Sequence, residues 1–421
     1  MNILTLCNYP IANPRHGGQL RVRNIVDRYR AAGHHVEVVG VLGSEAYESE
    51  SGFLAFPGVS CLATVIPNPF LMEDYAIGRL FVDDDRAYQR LASTIRMKPD
   101  IVHVEQPWLF DFACRYIKAN APTARIVYSS HNIEWRLKQE ILSSYFDAEI
   151  AQQSANLIKN VELAAILRAD AVVCVSDGDA DWIRTQTKAP VVVAPNGVRA
   201  WHTTETGRRA AASVTRGYRY ALYCASAHPP NITGFFEMLG GGFGSLKPDE
   251  KLVVAGGAGP SIAGDVRVHQ SAKLAEKVIV AGVVSQSCLE GLLDGATCIV
   301  LPLTQGGGTN LKTAEALWAG KHIVATSVAM RGFERFIGAS GVHLADEPGA
   351  FKRALRSSME SEPLRLSEQE ISARRSLLWE SCLDPLTAMI DKLTKKNNLD
   401  TSGNWRGCQI YDSLVLADGG G

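Results

Sequence analysis

The sequence predicts an α/β protein of two domains, each built on a parallel, doubly wound sheet. Three observations carry this. Short, nearly continuous apolar runs alternate with longer helix-like segments along most of the chain, as parallel strands covered on both faces require. The pattern lapses in a polar stretch after residue 200 and then restarts. The length, 421 residues, exceeds one ordinary core and suits two domains of middling size.

In the first half, Asn2 to Cys7 reads as a strand. Gln19 to Ala32 reads as a helix, with Leu20, Val22, Ile25, Val26 and Tyr29 breaking up a basic face and Gly33 ending it. Further strands are expected at His35 to Val41, Cys61 to Ile66, Ile101 to Glu105, Ile126 to Ser130, Ala171 to Ser176 and Val191 to Ala194. Helices are expected at Asp85 to Arg96 and Ala148 to Arg168. Pro195-Asn196-Gly197 is a turn signal, so the first domain is placed at 1–198. A linker is placed at 199–217, where Thr203 to Arg216 has few large apolar residues.

The second domain is placed at 218–372. Its strands are expected at Tyr220 to Cys224, Lys251 to Ala255, Val278 to Ala281, Cys298 to Leu301, His322 to Ala325 and Val342 to Leu344, with a helix at Leu311 to Ala319. A closing helix from about Ser367 to Lys395, broken near Pro385, is expected to return toward the first domain over 373–396. A polar tail, 397–421, follows.

Composition narrows the classes. A net charge of -1 gives no sign of a nucleic-acid binder. Nine scattered cysteines without a Cys-x-x-Cys pair read as reduced thiols of a cytosolic protein, not as disulfides or a zinc site. The N-terminus shows no leader pattern. No apolar run approaches the roughly 18 residues that span a bilayer.

The chemistry gathers in Cys298 to Thr326, CIVLPLTQGGGTNLKTAEALWAGKHIVAT. A strand runs into three glycines and then a helix. Glycines admit a ligand close to the backbone, and the free N–H groups of a helix start attract an anion. Lys312 in the first turn opposes the helix dipole, which suggests an anion beside it. Glu315, one turn on, can accept hydrogen bonds from ribose hydroxyls. The bland alternative is a flexible turn with a solvated Lys and Glu.

This segment resembles the donor-site signature of family-4 retaining glycosyltransferases, which have the GT-B fold of two facing Rossmann-like domains and an interdomain cleft. The branch signature is Gly-x-Gly-Thr-(Arg/Asn)-Leu-Lys-x-x-Glu-Ala. Gly306, Gly308, Thr309, Asn310, Leu311, Lys312, Glu315 and Ala316 match it in order. Where many relatives have a first glutamate eight residues before the second, this chain has Gly307. Other matches run from Met1 to about residue 395. Gly17 and Gly18 correspond to the pair near donor phosphates and acceptor, and His131 to a histidine contacting the donor sugar. Ser226 and Asn231 stand in the first loop of the second domain, and Val284 at the strand end whose backbone meets the base.

The resemblance implies a metal-independent, retaining transfer of a sugar from a UDP- or GDP-linked donor, a co-substrate rather than a cofactor, to a glycan or lipid-linked acceptor. His131 and Lys312 are its expected catalytic residues. Donor contacts are expected from Gly17, Gly18, Ser226, Asn231, Val284, Gly307, Gly308, Thr309, Asn310, Leu311, Lys312 and Glu315. Amides from Gly308 to Leu311, the helix dipole and Lys312 would carry the charge of the departing diphosphate, and domain closure would align the substrates. No metal ligands are assigned. Asp83-Asp84-Asp85 reads as a helix cap.

Glu105 ends a strand and is assigned to the acceptor side, with a solvated loop as the alternative, whereas His103 reads as structural. Arg21 is also assigned to the acceptor side. With Arg15, Arg23, Arg28 and Arg30 it makes either a solvated basic face or a site for a lipid diphosphate or anionic membrane. The expected location is cytoplasmic, with peripheral membrane contact as an extension. Two other readings stay open. One is a nucleotide-sugar 2-epimerase using Glu105 and Glu134, the other a catalytically silent GT-B binding protein.

Overall fold

The computed structural model describes residues 1–240, 244–269, 272–305 and 309–397. It divides into two compact units. The first comprises Met1–Pro195 with the chain from Leu383 onward, and the second Asn196–Cys382.

The first unit holds strands β1 (Asn2–Cys7), β2 (His35–Val41), β3 (Phe53–Leu54), β4 (Ile101–Glu105), β5 (Arg125–Ser129), β6 (Ala171–Cys174) and β7 (Val191–Val193). They form one sheet in the order β3-β2-β1-β4-β5-β6-β7, all pairs parallel. β1 lies between β2 and β4, so the winding direction reverses there. Alternate residues Leu4, Leu6, Val102, Val104, Ile126, Tyr128 and Val172 feed one core. Ile3, Ile101, Val127, Ala171 and Val173 between them are equally buried. Cover on both faces explains why the strands read as unbroken apolar runs.

The second unit holds β8 (Arg219–Cys224), β9 (Glu250–Ala255), β10 (Val278–Gly282), β11 (Cys298–Leu301), β12 (His322–Ala325) and β13 (Val342–Leu344). Their order is β10-β9-β8-β11-β12-β13, again parallel, with the reversal between β8 and β11. Leu222, Val253, Ile299, Leu301 and Ile323 enter one core. Tyr223, Leu252, Val254, Val300 and Val324 enter the other.

Three expectations are corrected. Cys61 to Ile66 is not a strand: Val59–Leu62 is helical and a turn follows. Val59 is 55% exposed, while Leu62 is buried with Val65 and Ile66 packed beside it. This is the i, i+3, i+4 spacing of a helical face. The stretch read as a linker contains the helix Glu205–Thr215 and lies in the second unit. It packs on the helix Gln286–Gly295 through glycine: a Cβ on Gly207 would lie 2.4 Å from the Ser287 carbonyl, and one on Gly291 2.3 Å from that of Gly207. Small residues substitute for large apolar ones at such a crossing. The closing helix breaks before Pro385, not at it. Glu368–Arg374 is one helix and Trp379–Asn397, containing Pro385, another. Between them Val198 N–H donates to Leu377 O and Trp379 N–H to Val198 O, drawing Leu378 into an extended conformation.

Candidate active site

In the first unit the chemistry lies beyond the carboxyl ends of β1, β4 and β5, at the reversal point where open α/β sheets bind ligands. Gly17 and Gly18 form the first turn of the helix Gly17–Ala31, which starts two residues earlier than expected. A Cβ on Gly18 would sit 3.0 Å from Tyr9 Oη, so glycine lets that ring approach without displacement.

Parallel pairing aligns Glu105 with Ser129 and so brings His131, two residues on, beside Glu105. His131 Nε2 lies 2.7 Å from Glu105 Oε2, and its Nδ1 3.4 Å from Tyr9 Oη. His103 Nε2 approaches the other oxygen of Glu105 at 3.1 Å, off the hydrogen-bond axis, and its Nδ1 lies 2.7 Å from Tyr29 Oη. Burial opposes ionisation of Glu105, but the electrostatic pull of the two imidazoles, His103 first, and the hydrogen bond with His131 outweigh it and hold the carboxyl well below the usual range.

Gln106 follows with φ 61°, a left-handed backbone in a non-glycine residue, which costs on the order of 1 kcal/mol. Its N–H donates to Ser129 O and its side-chain amide to Glu134 Oε1, which also accepts from Asn132. Glu134 is buried, and burial raises its carboxyl. Glu162 accepts from the N–H groups of Glu134 and Trp135 at the start of the helix Glu134–Leu142. Burial, reinforced by Glu134, pushes Glu162 up to about 8.

In the second unit the residues gather after β8 and β11, the two strands flanking its reversal. Asn231, in the first turn of the helix Pro229–Leu239, donates through Nδ2 to Ser226 O and Oγ at 3.0 and 3.1 Å. Lys312 Nζ donates to Asn231 Oδ1 at 3.5 Å. Asn310 caps the helix Leu311–Ala319 by accepting from Lys312 N–H, and its buried Nδ2 has no partner among the described residues. Thr309 accepts from Asn196 through Oγ1 and its carbonyl. Burial lowers Lys312, and among the described residues no carboxylate lies within ion-pair distance of it. Burial pushes Glu315 up to about 7 against the pull of Lys312.

Ser226, Asn231, Asn310 and Lys312 therefore form one cluster, with Glu315 one turn on and Leu311 half-buried at the helix start. Val284 is half-buried after β10, between exposed Val283 and Ser285, which caps the next helix. Gly307 and Gly308 lie outside the described residues.

Both residues assigned to the acceptor side are buried within the first unit. Glu105 is only 2% exposed, with a histidine against each carboxylate oxygen. Arg21 is 1% exposed and donates to Ala194 O at 2.8 Å. Arg15 pairs with Glu48, Arg28 with Asp384, and Arg23 and Arg30 with Asp27. Four of the five arginines thus have carboxylate partners, Asp27 on the same helix and Glu48 and Asp384 more distant in sequence. Asp84 caps the helix Asp85–Ala92, and its neighbours Asp83 and Asp85 pair with Arg79 and Arg115. Both carboxylates of the epimerase reading, Glu105 and Glu134, are buried and hydrogen-bonded. Tyr9, Gln106 and Glu162 escaped sequence reasoning, since nothing local marks them.

Residues 15–200 match the model of Glycosyltransferase Family 4, and residues 222–361 that of Glycosyl transferases group 1. The chain is accordingly a glycosyltransferase. Sucrose-phosphate synthase from Thermosynechococcus elongatus is similar in structure, with TM-score 0.67 and 17% identity over 94% of this chain and 99% of that one. Anabaena HepE with UDP-glucose has TM-score 0.59 and 12% identity over 95% and 100%. The lipopolysaccharide outer core galactosyltransferase WaaB has TM-score 0.58 and 14% identity over 93% and 100%. A search of curated protein sequences returned no match. This chain belongs with the family-4-like glycosyltransferases of GT-B fold. Among the described residues no helix is long and apolar enough to cross a membrane.

Proposed function

We propose that the chain moves a sugar from a nucleoside-diphosphate donor, UDP- or GDP-linked, to a hydroxyl of a glycan or lipid-linked glycan, with retention and without a metal ion. Lys312 carries this reading. It is a largely buried cation at a helix start, with an amide oxygen at 3.5 Å and no described carboxylate to pair with. Such a group is stabilised by an arriving anion. Asn310, with its unpartnered buried amide, adds a second donor. HepE is described with UDP and with UDP-glucose, which supports a nucleotide donor here.

In this reading Lys312, the helix N-terminus and the amides from Gly308 to Leu311 stabilise charge on the departing diphosphate, the role a metal fills elsewhere. Asn231 holds Lys312 in place, Glu315 accepts from the ribose, and Val284 borders the base. Gly17 and Gly18 leave room near the phosphates, and His131 orients the donor sugar. None of the eight described cysteines is in a disulfide, which supports a reducing, cytoplasmic location. The test is a thermal-shift screen of UDP, GDP and ADP, followed by turnover of the matching sugar nucleotides with glycan acceptors. A ligand of the native state must raise the melting temperature. If no nucleotide does so and no sugar nucleotide is consumed, the donor reading fails.

A further inference from the structure

The contacts around His131 are nearly symmetrical. Two histidines approach the two oxygens of one carboxylate through Nε2, and each turns Nδ1 to a tyrosine hydroxyl, giving the series Tyr9–His131–Glu105–His103–Tyr29. All five side chains are at most 9% exposed. Burial first, and the charge of Glu105 second, keep both tyrosine hydroxyls protonated, far above their ordinary range. Each hydroxyl can therefore donate to the Nδ1 it faces, and the carboxylate can only accept. In a neutral imidazole this leaves the ring proton on Nε2, toward Glu105.

The two ends of the series differ. Tyr29 Oη is 2.7 Å from His103 Nδ1 and wholly buried, a closed contact. Tyr9 Oη is 3.4 Å from His131 Nδ1, too long for a good bond. That acceptor is only loosely satisfied, and an incoming hydroxyl can take it over.

We propose that Glu105 is a positioning residue that fixes His131 as the Nε2–H tautomer, so that Nδ1 meets a donor-sugar hydroxyl as acceptor and not as donor, with His103 and Tyr29 holding Glu105 in place. The proposal rests on the reading above in which His131 faces the donor sugar. It adds a specificity rule: the sugar position meeting Nδ1 must carry a hydroxyl, because fluorine cannot donate. Fluoro and deoxy donors at that position lose activity alike. His103 packs its Nε2 3.1 Å from the second oxygen of Glu105 and so confines the carboxylate from the side away from His131.

Long-range ¹⁵N–¹H NMR of the full chain reads the tautomers directly. Wild type is expected to show His131 as Nε2–H, and Glu105→Gln a mixture, since the amide can either donate or accept. With a donor that wild type consumes, Glu105→Gln should lower kcat about tenfold or more while leaving the donor KM within about twofold. Tyr29→Phe, which conserves packing, should release the His103 tautomer and lower kcat by a smaller factor, and it serves should Glu105→Gln fold poorly. An Nδ1–H tautomer of His131 in wild type would overturn the proposal. So would Glu105→Gln, or in its place Tyr29→Phe, leaving both spectrum and kcat unchanged. Wild-type turnover by His131→Ala would instead overturn the sugar-facing role of His131, a failure the tautomer spectra distinguish from that of Glu105.

Discussion

Replacing Glu162 by Gln should flatten the pH dependence of stability, and the structure sets the size of the effect. Glu162 caps the helix Glu134–Leu142, just after His131, by accepting from two backbone N–H groups. Burial, with Glu134 nearby, raises its carboxyl from 4.5 to about 8. The folded state therefore holds a proton that the unfolded state releases near pH 4.5. The stabilisation is complete below that pH and is lost as pH rises through about 8. At about 1.4 kcal/mol per pH unit the full loss approaches about 5 kcal/mol. Sharing of charge with Glu134 reduces the expected figure to about 2–4 kcal/mol. Gln keeps an acceptor oxygen for the helix start but does not ionise. Denaturant unfolding of both proteins at pH 5, 7 and 9 isolates the slope from any constant cost of the substitution. The stability of the variant relative to wild type should rise by about 2–4 kcal/mol between pH 5 and 9. Parallel curves would refute the assignment of a raised carboxyl to Glu162.

Other outcomes follow from the second unit. Lys312→Ala should cost about 2–4 kcal/mol in transition-state stabilisation, read as kcat/KM with the donor identified by the screen; near wild-type turnover removes the charge from the mechanism. Glu315, raised to about 7, accepts more strongly from ribose hydroxyls when ionised. Nucleoside-diphosphate affinity should therefore weaken as pH falls below 7, relative to Glu315→Gln, whose titration by calorimetry accounts for ionisation of the phosphate itself. Gly291→Ala places a Cβ 2.3 Å from the Gly207 carbonyl and should destabilise the protein by about 1–3 kcal/mol. An unchanged melting temperature would show that the two helices part freely.

The sheets were legible because their strands are buried on both faces and leave apolar runs. The candidate anion-binding motif was legible because glycines, Asn310, Lys312 and Glu315 are consecutive or one turn apart. The helix Glu205–Thr215 was not, because it packs through Gly207 and Ala211 and lacks the large apolar face that marks a helix. The break after Arg374 was hidden for another reason: its cause, pairing with Val198, lies far away in sequence. Arg21 read as a surface cation because the sequence does not reveal that Ala194 O awaits it in the interior.

The sequence by itself determined the fold class and the parallel sheets and displayed the glycine-rich motif proposed to hold the donor, since periodicity and short motifs depend on neighbours within a few residues. Only the tertiary structure decided what surrounds His131. The parallel register of β4 with β5 sets Glu105 beside it, and the reversal at β1 delivers Tyr9. Tyr29 arrives on a helix more than seventy residues before His103. Hydrogen bonds between such distant residues leave no local pattern, because sheet order and not spacing along the chain brings them together.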